Sequence, residues 1–240
     1  MKFDPRHLAV LDAVVAAKER DADGDLVLTT QGWLGSACRG WAEWVTQASH
    51  PNLPSARQNR EQLGALIDGD QLSDEEAYLA VMAWGGQHRL HGRSAWEGFD
   101  RLRPIINKLR NGAMDRRAGY RAFYELTTQE FDRLRGMGPA YYTKLLFFLP
   151  RDGRGPIMDQ WTAKSMQLLI DRQGAEPIVS MPQGYVTRHN DAGVYEQFYV
   201  FIESLAERYS VSVGNAEELV FAGSRQPWRD HARAHWSRRA

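Results

Sequence analysis

The stretch Phe131-Asp132-Arg133-Leu134-Arg135-Gly136-Met137-Gly138-Pro139-Ala140-Tyr141-Tyr142-Thr143-Lys144-Leu145-Leu146-Phe147-Phe148 decides how the chain is read. Its centre is Gly-Met-Gly. Glycine accepts positive φ and lets a backbone come close to another surface. Pro139 suits the first turn of a helix. The spacing predicts two short helices joined at Gly136–Gly138, the first opening on a capping box at Thr127-Thr128-Gln129-Glu130 and the second ending before Pro150. The start of the second helix offers unpaired N–H groups at a positive dipole end, an anion site into which a phosphate such as that of a DNA backbone would fit without a basic side chain. The same pattern also describes a plain αα-hairpin in a helical bundle.

Outward from this hairpin, helical periods dominate. Asp4-Pro5 gives an N-cap and a first-turn proline, with Leu8, Leu11 and Val15 on one face behind it. Trp33 to Val45 reads as a packed helix. Ser73-Asp74-Glu75-Glu76 is a capping box that opens a helix through Val81, broken by Gly85-Gly86. Ser94 to Leu109 reads as one helix interrupted at Pro104, and Tyr120 to Leu126 as another. Val194, Phe198, Phe201, Ile202 and Leu205 mark an amphipathic helix near the C-terminus. Gly24 to Thr30 is the single passable strand candidate. Helices without paired strands predict an all-α fold.

The 240 residues carry 30 basic and 30 acidic side chains, with 43% apolar residues, the balance of an ordinary globular protein. No apolar run approaches the length of a membrane span, and the first residues do not form a signal peptide, so a cytoplasmic protein is expected. One cysteine, Cys38, excludes an internal disulfide framework and a Cys-based metal site. It is read as a small packed residue.

Beyond the hairpin, a Gly/Pro loop at Arg151–Pro156 leads to Ile157-Met158-Asp159-Gln160-Trp161, where aspartate stands at a helix start. Taken alone, Asp159 is an N-cap. Hairpin, loop and aspartate in this order resemble the helix-hairpin-helix DNA glycosylase superfamily. Leu134, Gly136, Met137 and Gly138 match its hairpin, and Asp159 falls at the separation of its catalytic aspartate. Two further segments resemble the 8-oxoguanine DNA glycosylase branch. Glu217 and Phe221 stand at the spacing of a glutamine and phenylalanine that line the pocket for the flipped base. Trp84-Gly85-Gly86-Gln87-His88-Arg89 stands where a polar wedge enters the duplex.

The resemblance implies two helical lobes with a helix-hairpin-helix motif and a cleft between them. One lobe would span roughly 60–165, with the hairpin at 131–148. The other would combine 1–59 with 166–225, and 226–240 would be a basic tail. It implies a DNA glycosylase of base-excision repair, flipping out and removing a modified purine, 8-oxoguanine or another guanine derivative, from double-stranded DNA. A monomer without a cofactor is expected. Asp159 would support bond cleavage. Glu217, Phe221 and Tyr141 would form the base pocket. Gly136, Met137, Gly138 and Ala140 would hold the DNA backbone. Gln87 would be the wedge and Arg89 the reader of the orphaned partner base. No metal site is expected, apart from a sodium or potassium ion at the backbone carbonyls of Arg135 to Gly138.

The sequence departs from the family at Glu217, where glutamine is usual, and most seriously at Ala140. Lyase members carry a nucleophilic lysine where this chain has Ala140, and alanine has no amine. Lys144, one turn further along, is a relocated nucleophile, a cation near the base, or a surface lysine. A non-catalytic DNA-binding module on the same scaffold is the alternative. Glu217 with Phe221 can also be a solvated acid beside a core ring, and Gln87 part of a polar turn.

The remaining constellations are weaker. Five arginines between Arg225 and Arg239 contact phosphates or solubilise a tail; Lys108, Arg110, Arg116, Arg117 and Arg121 form a second basic zone. His88 with His91 and His231 with His235 have ligand-like spacing but no third ligand nearby in sequence. Asp21 to Asp25 opens like a calcium loop, yet the twelfth position is Gly32.

Overall fold

Asp4 caps the first helix as its place before Pro5 requires. Its carboxylate accepts from the Arg6 amide at 2.9 Å, and α1 runs Pro5–Ala16. The structure, a computed structural model, describes residues 1–22, 26–27, 34–171, 176–221 and 227–236. The helices that follow are α2 (Cys38–Thr46), α3 (Arg60–Asp68), α4 (Asp74–Trp84), α5 (Arg89–Trp96), α6 (Phe99–Arg110), α7 (Arg116–Thr128) and α8 (Pro139–Phe148). The last four are α9 (Gln160–Leu169), α10 (Ala192–Tyr209), α11 (Val213–Phe221) and α12 (Pro227–Trp236). Among the described residues there is no strand, only the isolated bridges Phe3–Ile170 and Arg20–Leu26. The fold is all-α. Most of the strand candidate at 24–30 lies outside the described residues, as does Trp33. No described helix is long and apolar enough to cross a membrane.

The chain divides into two compact units, 1–32 with 158–240 and 33–157. In the unit of 33–157, α4 is the central helix. Every residue from Ala77 to Trp84 is buried, as an all-round apolar helix must be. Its capping box forms as the sequence requires, with the Ser73 hydroxyl accepting from the Glu76 amide and the Glu76 carboxylate from the Ser73 amide. Helix α8 is equally enclosed and packs on α4 and α7. Gly119 of α7 lets it approach: a Cβ there would stand 2.7 Å from Leu146 of α8. Cys38 is fully buried, and burial pushes its thiol up to about 11, so it is packing rather than chemistry.

In the other unit α9 is central, buried from Thr162 to Leu169. A hydroxyl relay ties three helices together. The Trp228 indole of α12 donates to Ser165 Oγ of α9 at 2.9 Å, and Ser165 donates to the Val220 carbonyl of α11 at 2.8 Å. Helix α10 buries Tyr195, Phe198, Phe201, Ile202 and Leu205, the face that the sequence marks.

Three expectations are corrected. Ser94–Leu109 is two helices, because the chain breaks at Gly98, where a Cβ would stand 2.4 Å from Leu134. The first helix of the hairpin is absent. Helix α7 runs on through Thr128, since the hydroxyls of Thr127 and Thr128 bond back to carbonyls of their own helix at Phe123 and Tyr124 instead of capping a new one. Residues 129–138 are non-helical, with Asp132 at φ 59°. Third, 227–236 is not a loose tail but a helix whose Trp228 is fully buried.

Helix α12 is also held by a histidine cluster. His7 Nδ1 of α1 lies 2.9 Å from His231 Nε2, and the His231 and His235 rings are 4.1 Å apart. Burial first, then His235 and His7, brings the His231 imidazole down to about 4. An imidazole in the unfolded chain titrates near 6.5. Between those values the unfolded chain takes up a proton that the folded one refuses. The stabilisation is therefore whole above pH 6.5 and is lost as the pH falls toward 4. Tm followed by circular dichroism is expected to fall across that window, and His231→Gln to flatten the fall. An unchanged slope in the variant rejects the assignment.

Candidate functional site

Asp159 is the N-cap of α9. Its Oδ1 accepts from the amides of Trp161 at 2.7 Å and Thr162 at 3.1 Å, and the Thr162 hydroxyl accepts from the Asp159 amide at 2.9 Å. The capping box fixes the carboxylate at a helix N-terminus while leaving the residue half-exposed. Sequence alone offered N-cap and catalytic acid as alternatives; the geometry makes Asp159 an N-cap without consuming its second oxygen among the described residues. A charge so anchored needs little reorganisation to stabilise a cation developing nearby.

Next to it stands Trp161, ringed by cations. Lys164 Nζ lies 4.4 Å from its ring centroid, Arg229 Cζ 3.9 Å and Arg233 Cζ 5.6 Å. Lys164 and Arg229 are only 8% and 6% exposed. Burial lowers the pKa of the Lys164 ammonium; Arg229 adds to this and Asp159 opposes it. Burial likewise brings Arg229 down to about 10, with Asp159 opposing. Sequence alone does not reveal this cluster, because Arg229 belongs to the segment that reads as a basic tail. The signal was Trp228, His231, Ala232 and His235, at helical spacing.

Glu217 and Phe221 share a face of α11, as their spacing requires. Their environments reverse the simple expectation of a solvated acid beside a core ring. Glu217 is fully buried and Phe221 half-buried. Arg229 Cζ stands 5.2 Å from the Phe221 ring centroid, and its guanidinium donates to the Phe221 carbonyl.

The other expected residues belong to the unit of 33–157. Gly136 has φ +75°, and a Cβ on it would stand 2.0 Å from the His91 carbonyl oxygen. Met137 is buried. Gly138 caps α8 with extended backbone and open space around its Cα. Gln87 is 2% exposed: its Nε2 donates to the Gly136 carbonyl at 2.8 Å, and its backbone carbonyl accepts from the Trp41 indole N–H. The expected wedge is thus a brace that fastens the hairpin loop to the α4–α5 turn. It also occupies one of the carbonyls counted on for a sodium or potassium ion. Arg89 is exposed, 5.7 Å from the Trp44 ring centroid.

Lys144 is 7% exposed, so it is no surface lysine. Its Nζ donates to the carbonyl of Ala140 and lies 5.4 Å from the Tyr141 ring centroid. Its stem runs against Gly85, where a Cβ would be 2.6 Å from Cδ. Burial pushes the half-buried Tyr141 phenol up, against a hydrogen bond from the His88 backbone. Among the described residues no group of His, Cys, Asp and Glu is arranged to hold a metal ion. His7 does join His231 and His235, yet its Nδ1 meets His231 Nε2, and His235 Nδ1 meets the His231 carbonyl.

No curated protein and no solved structure gives a significant match to the chain. Residues 36–221 match the model of the family described as "Putative 8-oxoguanine DNA glycosylase OGG-like protein". That span takes in the hairpin, Asp159, Glu217 and Phe221, and the chain belongs to this family of DNA glycosylase-like proteins.

Proposed function

We propose that the protein removes a modified purine, a guanine derivative, from double-stranded DNA by hydrolysis of the N-glycosidic bond. The observation that carries this reading is the seat of Asp159, a half-exposed carboxylate locked by two backbone amides at the start of α9. As the bond between C1′ and the base nitrogen breaks, positive charge grows on the sugar. Asp159 stabilises that charge and orients the water whose oxygen joins C1′. One proton of the water passes to solvent, the departing base takes one up from solvent at the nitrogen that loses the sugar, and an abasic site remains. Extruding the nucleotide costs a few kcal/mol, recovered by stacking and edge contacts. The half-buried Phe221 supplies a stacking face, and the buried Glu217 an acceptor for guanine N1–H and N2–H. The Gly136–Gly138 backbone and the start of α8 take a phosphate.

The test is release of free base from a panel of duplexes that each carry one modified base, with Asp159→Asn as the control. A lesion duplex that is bound but left intact by the wild type favours the non-catalytic module, a reading that Ala140 supports. Hydrolysis through Asp159 forms no covalent adduct, so borohydride is expected to trap no protein–DNA cross-link. A cross-link that disappears in Lys144→Gln would instead assign a lyase step to the buried amine of Lys144.

A further inference from the structure

We infer that Lys164 and Arg229 form a subsite for one DNA backbone phosphate, beside the nucleotide that Asp159 confronts. The inference rests on the duplex reading above and adds a contact that neither the hairpin nor Asp159 accounts for.

The ground is a charge that the structure leaves uncompensated. Three cations gather on Trp161, and one of them, Arg233, has Asp230 at 3.7 Å. No described carboxylate forms an ion pair with Lys164 or Arg229. Asp159 acts on both only across space and spends Oδ1 on the helix amides. Lys164 is more than nine-tenths buried, and among the described residues its Nζ donates no hydrogen bond to any acceptor. It points instead between the rings of Trp161 and Trp236, at 4.4 and 5.7 Å, with Gly184 alongside, where a Cβ would be 3.5 Å away. Two cationic side chains so largely covered, with Asp159 as the acid they share, are joined favourably by an anion. A phosphodiester supplies one negative charge and two acceptor oxygens, matching an ammonium and a guanidinium in number and kind. The half-exposed Asp159 and Trp161 mark the way in, and the N–H groups of α9 add positive potential there.

The full-length protein is tested by fluorescence anisotropy on undamaged and lesion duplexes between 50 and 200 mM salt. Lys164→Gln is expected to weaken binding about tenfold at the low-salt end and to reduce the log–log salt slope by about one, the mark of one lost phosphate contact. Lys164→Arg should retain both. A scan with single uncharged methylphosphonate linkages should find one position that weakens the wild type about tenfold and leaves Lys164→Gln unaffected. A salt slope and linkage profile identical in wild type and Lys164→Gln overturn the subsite and make Lys164 a packing residue. Should Lys164→Gln fail to fold, the wild type decides. The Lys164 ammonium, followed by NMR of 13C-labelled lysine, must rise in pKa when undamaged duplex is added, and a constant value overturns the proposal. Failure of base release with these binding effects present removes the catalytic reading and leaves the subsite. Loss of all duplex binding in the wild type removes both.

Discussion

Asp159→Asn is expected to bind a lesion-bearing duplex as tightly as the wild type and to release base at least a hundredfold more slowly. Asparagine keeps the oxygen that accepts from Trp161 and Thr162, and it ranks with aspartate as an N-cap, so α9 keeps its start. What disappears is the negative charge. One preorganised group facing a developing charge is worth about 2.7–4 kcal/mol, or roughly 10²–10³ in rate. Chromatography of the released base measures the effect. Asp159→Ala would confuse two losses, because it also removes the cap, at about 1 kcal/mol of stability. Release by Asp159→Asn at the wild-type rate would remove the aspartate from the chemistry.

Gly136→Ala and Gly138→Ala are expected to fail in different ways. At Gly136 a methyl group meets two obstacles. The backbone is left-handed at φ +75°, and the carbonyl of His91 lies 2.0 Å from the new atom. Left-handed backbone costs roughly 1–2 kcal/mol, and overpacking adds about 1–3 kcal/mol. The sum, roughly 2–5 kcal/mol, is a large share of the 5–15 kcal/mol that holds a typical domain. The urea midpoint should fall accordingly. Gly138 has extended backbone and nothing within 4 Å of its missing Cβ. Its replacement should alter stability by less than about 1 kcal/mol, within the range for an uncapped helix start. Duplex affinity should nonetheless drop if the proposal holds, since the methyl group would stand where the proposed phosphate meets the α8 amides. Wild-type affinity in Gly138→Ala would remove the hairpin from the DNA interface.

Local chemistry is what the sequence made legible. Asp4, Ser73 and Asp159 cap helices because each oxygen needs a donor only two or three residues away. The turn at Gly136 and the start of α8 at Pro139 follow from backbone preferences alone. The errors arise where one residue type serves two local purposes or where distant segments meet. A threonine hydroxyl caps a helix or bonds back inside one, and at Thr127 and Thr128 it does the latter. Gln87 looked like a polar turn or a wedge, but its partner is the Gly136 carbonyl, 49 positions along the chain. The Lys164–Arg229 cluster joins α9 to α12, and no spacing rule connects them. Glu217 and Phe221 were found by spacing, but which of them is buried depends on what packs over α11.

The resemblance to the family stops at residue 221, whereas the folded body does not. Trp228 plugs the relay through Ser165, and Arg229 reaches back to the Phe221 carbonyl and the face of Trp161. A truncation drawn at the end of the matched region would amputate the keystone of the unit that holds Asp159. It would leave Ser165 without its indole donor and Trp161 without two of its three cations, Arg229 and Arg233. Shortened versions of this protein should therefore be cut beyond Trp236, and an inactive fragment ending near 221 would say nothing about the proposed activity of the intact protein.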